Sequence, residues 1–367
     1  MERQNESGPD YHLNWAIPVH GLWHNDMHVL RLLFKAHSGK KGANFRFFMD
    51  IIKRNWFMWD ENKGTIKDYR ACREFFLHLH DAYILAAVAS HLGATNFSSI
   101  GDKFTTVNPQ KTILNTCSDF LDLLKVFKAR SGMPASERDL PYENAILMVQ
   151  HGMLYREFGD AMKVGDSGRV EQCLLYFNLF FQGTAQHNYK FEMMNLVTSL
   201  RYTWSQGLKD FWRQNCLVSI TGERDSFLAD DLACEFIVRE TKKEAPSSHT
   251  PANRKFMNEV AARQVLVTMQ SRETIYHESG ANNHFKHSST VSSVTDVAKL
   301  TQMLIDAQVF TFTPGRTSAF STGLDGLECD DLYGKGFATF SAGRSLKDFI
   351  SKLREDDDDP EEGNEGN

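Results

Sequence analysis

The chain has 367 residues, 41% of them hydrophobic and 27 of them Phe, which is enough apolar material for a sizeable core and excludes global disorder. Pro is scarce at 9, which favours long helices over a turn-rich β architecture. The net charge of −6 is set by the C-terminus: eight acids and no base lie between Glu355 and Asn367, and setting them aside leaves 39 acids against 41 bases. The remaining body is electrically mixed, so charge neither announces nor excludes a nucleic-acid partner.

No apolar run reaches the roughly 18 residues of a membrane span, and the polar stretch Met1 to Tyr11 lacks a signal-peptide core. The six cysteines, Cys72, Cys117, Cys173, Cys216, Cys234 and Cys329, are far apart in sequence. Reduced thiols in an intracellular protein of the cytoplasm or nucleus, away from membranes, are the expectation.

In chain order, residues 1–12 read as a flexible lead, and Leu13 to Pro18 as a strand or extended entry into a helix. A domain that begins on such an element is expected to be the remainder of a longer one. Met27, Leu30, Leu33 and Phe34 have helical spacing within Asn25 to His37. Phe47, Ile51, Ile52 and Trp56 fit a second helix, and Phe75, Phe76, Leu79, Tyr83, Ala86 and Ala87 a long third one over Ile66 to Leu92, with Gly93 as its stop. Further helices are expected from Asn108 through Phe127, from Pro141 through Phe158, over Asp166–Phe181 and over His187–Trp204. Asp230–Lys243, Pro251–His277 and Val294–Phe310 complete the set. Leu217 to Ile220 and Val309 to Phe312 are the best strand candidates. Residues 318–354 are Gly- and Ser-rich, and 355–367 read as a disordered acidic tail.

Two groups of residues could carry chemistry. His20, His24 and His28 crowd one short string, and His24 and His28 share a helix face at the spacing of zinc ligands. The residue after His24 is Asn25, where a zinc protease needs a Glu, so backbone bonding or stacking on Trp23 is the simpler use of these rings. The second group is acidic: Glu157, Asp160, Asp166, Glu192, Asp230, Asp231 and Glu235. Two or three acids converging on Mg²⁺ support phosphoryl transfer. Asp166, before Ser167-Gly168-Arg169, is also a favoured N-cap, and Glu157 and Asp160 could pair with Arg156 or Lys163. Glu192 stands among apolar neighbours and calls for a partner, with Arg169 the expected one.

Five strings in order resemble a fungal domain-of-unknown-function family, DUF 6589. They are Ile17 to His24, Leu154 to Arg169, Asn188 to Glu192, Asp231 to Glu235 and Pro314 to Thr317. The resemblance implies a transposon-associated protein of nuclease descent, with DNA as partner and Mg²⁺ as cofactor. Glu157, Asp166, Glu192 and Glu235 are then the catalytic candidates, and His24, His28, Asp166 and Glu192 the metal candidates. Departures argue against an intact site. Phe236 and Val238 stand where the family tends to show His and Asn, leaving only Lys242, and Ser219 stands where it shows Asn. The Gly-Asp strand expected to hold a first metal-binding acid is not found before Leu13, so part of a catalytic core is expected to be missing.

These readings give a mainly α fold, one large multi-helix domain over about 13–317 with room for a short N-terminal strand remnant. Its expected function is that of a degenerate metal-dependent nuclease or transposase remnant. The alternative is a non-catalytic helical protein-interaction domain.

Overall fold

The structure, a computed structural model, describes residues 19–39, 42–54, 58–60, 63–104, 118, 132–134, 136–184, 187–244, 293–320, 329–343, 347 and 349–351. The fold is mainly α, with two small antiparallel strand pairs among the described residues. Helix α1 is Leu22–His37, α2 Ala43–Ile51, α3 Tyr69–Leu92 and α4 Phe97–Phe104. Helix α5 is Leu140–Val164, α6 Ser167–Gln182 and α7 His187–Thr198, which runs into a π-helical turn over Ser199–Thr203. Helix α8 is Gln206–Asn215, α9 Asp230–Glu244, α10 Ser293–Asp306 and α11 Leu332–Ser341. Strand β1 (Trp59–Asp60) pairs with β2 (Thr65–Ile66), and β3 (Leu217–Val218) with β4 (Leu228–Ala229).

Periodicity explains the long helices. On α3, Cys72, Phe75, Phe76, Leu79, Ala82, Ala86 and Ala89 recur at three- and four-residue steps, and all are buried. Aspartates start three of the major helices. Asp68, Asp139 and Asp166 each accept a backbone N–H from the first turn, of Ala71, Tyr142 and Arg169. Gly93 and Gly165, at φ of 65° and 80°, end α3 and α5 in the left-handed conformation that suits Gly. Helix α5 lies against α1, α3 and α6, and α3 against α10. The core between them mixes aliphatic side chains with packed aromatic rings: Phe34 meets Phe45 edge-on at 5.0 Å, and Phe158 meets Phe177 at 5.1 Å.

Several boundaries differ from the sequence reading. Helix α2 stops at Ile51, because Lys53 turns left-handed (φ 57°), so Trp59 belongs to β1. Val309 to Phe312 forms turns after α10: Gln308 (φ 50°) reverses the chain, and among the described residues no strand pairs with this segment. Helices α4, α8 and α11 had no counterpart among the expected elements, and α11 packs on α6 so tightly that a Cβ at Gly336 would fall 1.9 Å from the Leu179 carbonyl oxygen. The expected lead, N-terminal strand, 355–367 tail and Pro251–His277 helix lie outside the described residues, as does nearly all of the Asn108–Phe127 helix.

Candidate functional site

The start of α1 has no cap of its own, since Gly21 precedes it. Asp231, in the first turn of α9, supplies one. Its carboxylate accepts the backbone N–H of Trp23 at 3.0 Å and of His24 at 3.1 Å, and stands 2.9 Å from His24 Nδ1. A negative charge at a helix N-terminus is favourable in itself. Gly21 permits the approach, because a Cβ there would meet Asp231 Oδ2 at 2.1 Å. Across α1, Tyr189 of α7 lies against His28 with ring centroids 3.5 Å apart, and meets His20 at 5.3 Å. Burial pushes His20 down to about 4, partly opposed by the nearby Asp231 carboxylate. Trp23 meets His24 edge-on at 4.8 Å, the stacking expected of this ring.

One turn further along α1, Asp26 is buried at 4% exposure. The spacing of Leu22, Val29, Leu30 and Leu33 puts position 26 on the buried face, so the sequence carried a signal for this acid. Tyr69 of α3 donates its hydroxyl to Asp26, and the Arg73 cation lies close enough to oppose the upward push of burial on the Asp26 carboxyl. The Tyr155 hydroxyl is fully buried beside these groups and interacts with Asp26, Tyr69 and Arg73. Arg73 reaches the α5 backbone because Gly159 has no side chain: a Cβ there would be 2.7 Å from its Nη2.

Asp26, Tyr69 and Arg73 form the floor of a cleft of about 490 Å³ between α1, α3, α5 and the β4–α9 junction. That is within the ~300–1,000 Å³ typical of ligand sites. Trp23, Phe227 and Leu232 give it apolar walls, and Arg70, Glu74 and Lys163 stand at its exposed edge. Phe227 is held there by its backbone N–H, which donates to the Lys163 carbonyl at 3.1 Å.

The acids singled out in the sequence are dispersed. Asp166 caps α6, as expected. Arg169 does not reach Glu192. Its guanidinium binds Glu157 Oε1 at 2.6 Å and Asp160 Oδ2 at 2.9 Å. The physical reason is the reversal at Gly165, which sets the first turn of α6 beside the last turns of α5, while Glu192 lies on the exposed side of α7. The Arg169 hydrogen bond holds the Glu157 carboxyl below its ordinary value. Glu235 is exposed on α9, one turn after Asp231. Arg316 is committed to Asp139, which it grips through Nε at 2.9 Å and Nη2 at 2.8 Å. Among the described residues no three His, Cys, Asp or Glu side chains come together as a metal site would require.

Three of the five strings noted in the sequence thus meet around the start of α1, through His24, Tyr189 and Asp231. No curated protein and no solved structure matches the chain. Residues 1–287 match the profile of a family of unknown function, and the chain therefore belongs to the DUF6589 family.

Proposed function

We propose that the chain is a non-catalytic, transposon-derived helical module that binds DNA through the cleft between α1, α3, α5 and α9. The observation that carries this reading is the cleft's lining: aromatic walls at Trp23, Tyr69 and Phe227 beside Arg70, Arg73 and Lys163. Arg73 is balanced by Asp26, which leaves two exposed cations against Glu74. Cations of this kind attract a phosphate backbone, and the attraction weakens with salt. The fungal, transposon-associated setting implied by the five strings makes DNA the partner of choice. Anisotropy of a labelled oligonucleotide tests the reading. Arg70→Ala with Lys163→Ala is expected to weaken binding about tenfold and to flatten its salt dependence. Affinity unchanged by that pair of substitutions would sink the proposal.

The rival reading is a surviving Mg²⁺-dependent nuclease. It is favoured by the contact between His24 and Asp231, which lie in two of the five strings. Glu157, Asp166, Glu192 and Glu235 do not fit one Mg²⁺ ion as a set, since Glu157 is bound to Arg169, Asp166 caps α6, and Glu192 and Glu235 are exposed on separate helices. Incubation of DNA with the chain and Mg²⁺ decides between the readings: cleavage abolished by Asp231→Asn would establish the nuclease.

A further inference from the structure

The cleft is concave, and that limits which form of nucleic acid it can take. Reading a duplex groove requires a helix or ribbon that protrudes into it. A pocket with aromatic faces beside cations suits a base that has left its stack, because every base has a π-face and carries a phosphate next to it. Here the Trp23 and Tyr69 rings are 6.4 Å apart and crossed at 78°, so the two rings present differently oriented surfaces. Phe227 lies against Gly165 on the other side, where a Cβ would come within 2.9 Å of its ring. The floor is already polar and fixed: Tyr69 is bonded to Asp26, Arg73 is lodged at Gly159, and the buried Tyr155 hydroxyl lies against Asp26 and Arg73.

We infer that the cleft receives one unpaired base of single-stranded nucleic acid between Trp23 and Phe227, with the adjacent phosphate held by Arg70 and Lys163. This rests on the DNA-binding reading above and adds the form of the ligand to it. The floor groups then face the edge of the base, where Arg73 donates and Asp26 accepts or donates according to its protonation.

The test compares a labelled ten-nucleotide single strand with a blunt hairpin duplex of equal length, using the full chain, Trp23→Leu, and the surface substitution Lys163→Glu. The single strand is expected to bind about tenfold more tightly than the duplex, with both substitutions removing that preference. Circular dichroism and melting temperature check that each variant is folded, and Lys163→Glu, being exposed, decides the matter if Trp23→Leu is not. Equal affinity for both forms, lost in Lys163→Glu, overturns this inference and leaves the DNA-binding reading intact. Binding to neither form overturns both. A single-strand preference that survives Lys163→Glu and a folded Trp23→Leu places the base elsewhere and overturns the inference.

Discussion

His24 Nδ1 and Asp231 Oδ2 stand 2.9 Å apart although 207 residues separate them in the chain. The same carboxylate accepts two backbone N–H groups of α1, so Asp231 joins the start of one helix to the start of another. Asp231→Ala is expected to destabilise the fold by about 1–2 kcal/mol, the usual cost of losing an N-cap. Gly21→Ala is expected to cost at least as much, since its Cβ would occupy the carboxylate's place. Urea unfolding measures both, and wild-type midpoints for the two variants would show that the cap is dispensable.

Asp139 and Arg316 make a stronger prediction. Asp139 is fully buried, caps α5, and also accepts the Thr313 N–H at 2.6 Å. Arg316→Ala leaves that carboxylate without its cation and is expected to cost about 3–5 kcal/mol. Arg316→Lys is expected to restore only part of this, because an ammonium cannot bind both oxygens as a planar fork does. A thermal melt shifted by less than a degree would refute the prediction.

Packing of α11 on α6 depends on Gly336. Gly336→Ala forces a Cβ against the Leu179 backbone, which cannot move aside as a flexible side chain could. The expected cost is about 1–3 kcal/mol, the range for overpacking. Amide hydrogen exchange is expected to quicken across α11 well before it does in α3. Unchanged protection of α11 would show that the contact is relieved at no cost.

Acid is expected to weaken the protein. His37 Nε2 and His151 Nδ1 meet at 2.9 Å inside the core, and His80 Nε2 lies 3.2 Å from the Val149 carbonyl. Burial holds His37 at about 3, His80 at about 4 and His151 well below its ordinary value. All three folded values are depressed, so their contribution is fully present above the unfolded value of about 6.5 and is lost as pH falls towards 4 and below. The slope for each ring is at most about 1.4 kcal/mol per pH unit. Asp26, Asp81 and Asp230, raised by burial, work in the opposite sense above about pH 4, against four depressed rings when His20 is added to the three. The urea midpoint at pH 5 is expected to lie below that at pH 7.5, and equal midpoints would count against neutral buried rings.

The helices were legible because their cause is local. The three- and four-residue spacing of Cys72, Phe75, Phe76 and Leu79, the cap at Asp166 and the stop at Gly93 each act within one or two turns of chain. Family membership was likewise legible, since ordered strings survive without any knowledge of contacts. Partners were not. Arg169 was matched with Glu192 by plausible charge, yet the reversal at Gly165 set it beside Glu157 and Asp160. Asp231 reaches the start of α1, and Asp26 meets Tyr69 and Arg73, only because three helices converge there. Sequence spacing reports which side chains share a face of one element. Which faces meet is decided by how the whole core closes, and with it which carboxylate finds which cation.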